Sequence, residues 1–378
     1  MDLAEGSASR SSDRRAMTAF TRSAALRGLA SGAGSAIITG GSAARAADRL
    51  ADLIRAAKSE RELNIIAGAD TFGGQPGMNA LNDALNKRFN IDVHVSLTPG
   101  PSMPANASRI ATEYKGNRTS STGVYLGPLS MFSFLDRAGV LERGDWTGYF
   151  PWVTREMVIE PHGGGLLVRT GPNAIVYNPK FLAADKAPKR YEDLVDPRLS
   201  GAWGPRLATP PYPDYLAILR LNWGVDRVRE FAKKISAISG GQLRYGEAQP
   251  LIDGQFAIMA NEGSALEANW VWASKGVIFN VVFGTSPALC DYFQLGVPKN
   301  SSAPNLGKLF VGFMASAEAQ AITDKYGAQG SHLVAGTRVN AFVRENKLAL
   351  QDPRKLRAFY DAPGTDALYD ELGKIVRL

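Results

Sequence analysis

The chain has 378 residues, 45% hydrophobic and 21% charged, with a formal net charge of +7 at pH 7; that is globular in composition and long enough for two α/β lobes with cores of their own. Cys290 is the single cysteine, which excludes an internal disulfide and a cysteine-based zinc site. The positive charge could suggest an anionic partner, but residues 1–46 carry six arginines against Asp2, Glu5 and Asp13, and no cluster of Lys and Arg interleaved with aromatics occurs, so a nucleic-acid reading has little support.

The N-terminus reads as an export signal. Arg14-Arg15 precede a weakly apolar Gly/Ala-rich run from Ser23 to Ala44, interrupted by Arg27, that ends in the A-x-A pattern Ala44-Arg45-Ala46. Cleavage is expected near Ala46/Ala47, by a twin-arginine route from whose pattern Asp13 and Met17 depart, or by a general secretory route starting at Met17. No other apolar run reaches the roughly 18 to 20 residues that span a bilayer, and there is no lipobox cysteine. A soluble, periplasmic mature protein follows as the expectation.

From Ala47 onward helices alternate with short apolar strands, the pattern of α/β architecture. A helix over Arg49–Ser59 leads to a strand at Leu63–Gly68. Helix Gln75–Phe89, with Met78, Leu81, Leu85 and Phe89 on one face, leads to a strand at Ile91–Leu97, in which His94 is a strand side chain. Helix Pro104–Lys115, strand Gly123–Leu126 and helix Leu129–Ala138 follow, and Trp146–Trp152 reads as irregular. Gly163-Gly164-Gly165 opens a strand, Leu166–Arg169, where a phosphate-binding loop would open a helix. After strand Ala174–Tyr177 the pattern gives strands at Arg206–Thr209, Phe256–Ala260 and Val277–Val282. Helices are expected at Pro213–Leu221, Asp226–Ile238, Gln249–Asp253 and Ser264–Lys275.

Two segments carry a family resemblance. The first is Tyr177-Asn178-Pro179, then Pro188-Lys189-Arg190-Tyr191-Glu192-Asp193-Leu194-Val195-Asp196-Pro197 and Ser200-Gly201; its Asp-Pro and Ser-Gly pairs are turn chemistry. The second is Leu295-Gly296-Val297-Pro298-Lys299 with Ala303-Pro304, Phe310, Phe313, Ser316, Glu318 and Gln320. Together with the opening strand they cover most of residues 62–330 and resemble the extracellular solute-binding proteins of bacterial ABC importers, in the ferric-ion, polyamine and organic-solute group. That resemblance implies a two-lobed type 2 periplasmic-binding fold, each lobe a mixed sheet flanked by helices, with a ligand cleft between. It implies a first lobe of residues 47–165 plus about 295–345 and a second of 166–294 plus about 346–378. Strands near Leu166–Tyr177 and Tyr292–Val297 would join them. It further implies a monomer without a cofactor that catalyses nothing, captures a small solute and delivers it to a membrane permease.

Ligands of open α/β sheets bind beyond the carboxyl ends of strands, where helix N-termini present free N–H groups. Applied here, this selects Asp70, Thr71 and Phe72; Pro101 and Ser102; Gly127; Tyr212 and Tyr215; Glu262 and Ser264; and Asp291. Glu262 and Asp70 are suited to an ammonium group or a metal, and Tyr212 and Tyr215 to stacking on a planar or cationic ligand. Trp152, Trp270 and Trp272 are weaker candidates, and Trp270 and Trp272 cannot share one helix face. The ferric branch of the resembled group carries an adjacent Tyr-Tyr pair after the strand corresponding to Phe256–Ala260; this chain has Asn261-Glu262-Gly263-Ser264 there. A small organic solute is therefore expected, with ferric ion as the alternative. His94, His162 and His332 form no local metal motif. No G-x-S-x-G, H-E-x-x-H or Walker A pattern occurs, and a carboxylate pair such as Glu262 and Glu267 is the remaining hydrolase alternative.

Overall fold

Three sheets carry the chain, described here from a computed structural model that covers residues 39–159, 163–200 and 206–376. The segment from Met1 to Ile38, which holds most of the expected export signal, lies outside the described residues, as do His162 and Trp203. The first helix runs Thr39–Glu60, longer than the expected Arg49–Ser59. Alanines at 43, 44, 46 and 47 are strong helix formers and extend it upstream, so the expected cleavage point falls inside a helix.

The strands are β1 (Glu62–Ala67), β2 (His94–Pro99), β3 (Tyr125–Pro128), β4 (Leu166–Pro172), β5 (Ala174–Tyr177), β6 (Leu207–Thr209), β7 (Gly241–Gln242), β8 (Ile258–Glu262), β9 (Asn280–Val282) and β10 (Cys290–Gly296). β1 and β2 pair in parallel, and β3, β10 and β4 form an antiparallel sheet in that order. The remaining five make a mixed sheet in the order β7-β6-β8-β5-β9. Parallel pairing of β1 with β2 across helix Gly74–Phe89 is the crossover unit that the strand-helix-strand pattern anticipates.

The first lobe surrounds Leu63, Ile65, Val95 and Leu97 from β1 and β2, Met78, Leu81 and Leu85 from helix Gly74–Phe89, and Phe310 and Phe313 from helix Pro304–Met314. Alternation of buried and outward side chains on β1 and β2 fits a sheet with one face in the core. β5, β6 and β8 are buried at every position, as strands covered on both faces must be. Their lobe closes over Ile175, Leu207, Ile258 and Leu216, with helices Asp214–Trp223, Val225–Ile238 and Thr365–Val376. The 177–200 block becomes two short 3-10 turns, Tyr191–Val195 and Pro197–Leu199, and Cys290 is fully buried.

Two passes join the lobes side by side. β4 runs into β5 across Asn173, and β10 begins at Cys290, opposite Pro172. Because β4 pairs with β10, and β10 with β3, residues 166–172 share a sheet with the first lobe, and the change of sheet falls at Asn173 rather than near residue 165. A third pass lies alongside, with Ala288 bridged to Leu350 and Tyr292 Oη donating to Gln351 O at 2.6 Å. His332 also packs there, its Nδ1 2.8 Å from Thr170 Oγ1, and burial lowers its pKa to about 4.

Elsewhere helix Leu129–Arg137 meets helix Pro353–Asp361. Arg357, its side chain 3% exposed, lies 2.6 Å from Asp136 and 3.0 Å from Asp361. Ser133 Oγ donates to Asp361, and Arg137 donates to Tyr360 O. Every charge at the centre of this contact has an opposite partner.

Candidate functional site

An interlobe cavity of about 580 Å³ is lined from the first lobe by Asp70, Gly73, Met103, Tyr326, Gly327 and Gln329. The other lobe contributes Tyr245, Gly246, Glu262, Gly263, Ser264, Glu267, Trp272 and Lys275, and the crossing strands add Arg169, Asp291 and Phe293. A larger hollow of about 1020 Å³ lies on one lobe at Leu182–Ser200 and has no contribution from the other.

Strand order explains why the acids meet. β5 is antiparallel to β8 with Ala174 opposite Glu262, and β4 is antiparallel to β10 with Gly171 opposite Asp291. The short link between Gly171 and Ala174 therefore holds both carboxylates at one end of the cavity. Gly171 has no room for a side chain, since a Cβ there would stand 2.0 Å from Ser264 Oγ. Ser264 takes a left-handed φ of 55° and accepts its backbone restraint from Asn173, whose Oδ1 receives Ser264 N–H at 3.2 Å.

Glu262 accepts only the backbone N–H of Gly246, at 3.0 and 3.1 Å. Burial pushes its pKa up to about 8. Asp291 is raised to about 7, first by burial and then by the charge of Asp214. Neither has an ion-pair partner among the described residues. Glu267 does: Arg169 Nη2 stands 2.6 Å from it, and the guanidinium lies 4.5 Å above the Phe293 ring. Its pKa is still raised, by burial. A cavity with two unpaired buried carboxylates favours a cation, because burying an uncompensated charge is costly.

On the opposite wall the loop after β1 is pinned from afar. Gln329 accepts from Phe72 N at 2.9 Å and donates to Asp70 O at 3.0 Å. Helices Gly74–Phe89 and Met103–Lys115 start at this wall, and neither N-cap, Gly73 or Ser102, supplies a side-chain acceptor to the first turn.

Of the residues selected from sequence, the structure brings Asp70, Glu262, Ser264 and Asp291 together in the cavity. The others lie elsewhere. Phe72 is in the first-lobe core, 5.9 Å from the Phe310 ring, and Thr71 is buried beside it. Tyr215 is fully buried and stacked on Tyr191, since the helix it begins turns that face to the core. Tyr212 is 42% exposed over a separate hollow with Gln242 and Glu247, and touches the cavity only through its ring contact with Tyr245. Gly127 is packed under Tyr125, while Pro101 and Ser102 face solvent beside Met103. Trp272 lines the cavity and Trp270 packs on Phe342, on the other side of the helix. Trp152 is held in the first lobe by Gly312 O. Arg169, Tyr245, Phe293 and Gln329 had no sequence signal of their own. Among the described residues no group of three or more His, Cys, Asp or Glu is placed to hold a metal ion, and no helix is long and apolar enough to cross a membrane.

No protein-family model matches the chain, and no curated protein matches it. Solved structures do. Iron-bound HitA from Pseudomonas aeruginosa is 20% identical, with 84% of this chain and 99% of that chain covered, at a TM-score of 0.62. The substrate-binding protein of an ABC transporter from Agrobacterium tumefaciens is 19% identical over 85% and 97%, at 0.65. AfuA from Actinobacillus pleuropneumoniae, with fructose-6-phosphate bound, is 17% identical over 84% and 99%, also at 0.65. At these identities the likeness establishes the architecture: the chain has the two-lobed periplasmic-binding-protein fold.

Proposed function

We propose that this chain is the solute-binding component of an ABC importer, exported to the periplasm, that encloses a small organic solute bearing a basic nitrogen and passes it to a membrane permease. The observation that carries this reading is the pair Glu262 and Asp291, buried on the interlobe cavity with no ion pair to either among the described residues, although Asn173 and the more distant charge of Arg169 act on Asp291. An ammonium group between them would restore both to their charged forms with charge-assisted hydrogen bonds. The aromatic wall of Tyr245, Trp272 and Phe293 suits the carbon chain of such a solute. Pairing of Glu267 with Arg169 supports binding over hydrolysis, because an acid held by a guanidinium is poorly placed to exchange protons. Closure is a population shift, which requires a ligand that contacts both lobes.

The test is a thermal-shift screen of refolded, solute-free protein against amines, amino acids, phosphonates, sugars, carboxylates and ferric salts. A ligand at about 100 times its Kd adds roughly 2.7 kcal/mol, enough to move the midpoint by a few degrees. Stabilisation by compounds with a basic nitrogen is the expected result. Stabilisation confined to ferric salts or sugars would overturn the amine reading.

A further inference from the structure

The same cavity offers unmet donors as well as unmet acceptors. Arg169 spends one end of its guanidinium on Glu267, but its Nε is buried with no hydrogen-bond partner. Lys275, exposed at the far end of helix Ala265–Ser274 from Glu262, lines the cavity and adds a positive charge there without being a buried donor; it has no ion-pair partner among the described residues. Ten helical residues separate the two by roughly 15 Å along the axis. The starts of helices Gly74–Phe89 and Met103–Lys115 open on the cavity at Gly73 and Met103 without a side-chain cap. Each turns the positive end of a helix dipole toward the space, although Gly74 N–H already donates to Thr71 O and neither Pro76 nor Pro104 has an N–H to offer.

A simple amine would answer Glu262 and Asp291 and leave the Arg169 donor unsatisfied; a simple anion would do the reverse and add charge beside two carboxylates. Only a solute carrying both groups meets both ends, and leaving a buried donor or acceptor unmade is the costly outcome. We infer that the solute is a zwitterion, its ammonium group between Glu262 and Asp291 and its oxyanion facing Arg169, Lys275 and the uncapped helix starts of the first lobe. This rests on the amine-binding reading above and adds the second charge. It also gives the solute one hold on each lobe, which is what a closing ligand requires.

The experiment is isothermal titration calorimetry of the solute-free full chain with three matched probe series: ω-amino acids of three to ten carbons, the alkylamines of the same length, and the alkanoates of the same length. The best ω-amino acid is expected to bind at least tenfold more tightly than its matching alkylamine and its matching alkanoate. Arg169→Gln should reduce the amino-acid to alkylamine affinity ratio to below threefold. Lys275→Met, a change at an exposed side chain that keeps the fold if Arg169→Gln does not, should reduce the same ratio by about threefold. A general loss of structure would lower both affinities and leave the ratio alone. Alkylamines binding as well as amino acids would overturn the zwitterion while leaving the amine reading intact. Alkanoates binding best, or no member of any series binding, would overturn both.

Discussion

The lobes meet over buried charge in two places, and the chemistry of the two is opposite. At the helix contact Arg357 sits between Asp136 and Asp361, with Ser133 and Arg137 completing the hydrogen bonds. In the cavity Glu262 and Asp291 have no such partner. A charge network satisfied by the protein itself makes a permanent contact. An unsatisfied one stores a preference that only something from outside can meet. The lobes are thus tied at one point by the chain's own ions and left open to a ligand's ions at the other.

The largest effect should come from breaking the satisfied network. Arg357→Met leaves the buried Asp136 carboxylate without its guanidinium and should cost about 3 to 5 kcal/mol of stability in urea denaturation; a loss below about 1 kcal/mol would erase the contrast with the cavity. Next, Glu262→Gln keeps the acceptor for Gly246 but removes the charge. It should weaken the best amine ligand about tenfold to a hundredfold, as expected for a charged hydrogen bond of roughly 1.5 to 3 kcal/mol, without destabilising the empty protein. Equal affinity would take Glu262 out of the site.

The pH dependence follows from the direction of the shifts. Glu262 titrates at about 8 when folded against an ordinary 4.5, so the folded empty protein binds more protons than the unfolded chain between those values. Stability must then fall as pH rises through that window. The thermal midpoint of the solute-free protein should drop from pH 5 to pH 8, and Glu262→Gln should flatten the drop. Amine affinity should run the other way, improving up to tenfold per pH unit for each proton released. The smallest effect sharpens the comparison from outside: Arg49 and Asp145 form a 2.6 Å pair at the surface, with side chains 44% and 54% exposed, and Arg49→Ala should change stability by about 1 kcal/mol or less.

Sequence made the strand-and-helix frame legible because its periods are regular. Met78, Leu81 and Leu85 mark one helix face, and Leu63 and Ile65 one strand face, whatever the tertiary context. The two family-like segments then supplied the expectation of a two-lobed fold. Elements after Gln320 were less legible, although Thr337 and Asp352 cap helices Arg338–Glu345 and Pro353–Asp361 and Pro353 stands at a helix start; both helices are short, and the first buries Val339 alone. Asp70, Glu262 and Asp291, which line the cavity, were selected by following strand ends. Arg169 was not, because it projects from the middle of a strand and gains its role only when β10 places Phe293 beneath it. Gln329 acts on Phe72 across 257 residues of sequence, a distance no local pattern reports. Phe72 and Tyr215 fail for the converse reason: a loop or helix start at a strand end can turn its aromatic inward as readily as outward.

Asn173 N–H bonds to Leu289 O at 2.8 Å exactly where β4 and β10 leave one lobe for the other, and the Ala288–Leu350 bridge ties the third pass to them. Parting the lobes therefore bends all three passes together, as one collective coordinate on the microsecond-to-millisecond scale of domain motion. On the proposed function, solute exchange would run on a single clock: no occupant would leave faster than the bend opens, so stopped-flow dissociation traces of progressively weaker solutes should converge on one limiting rate constant.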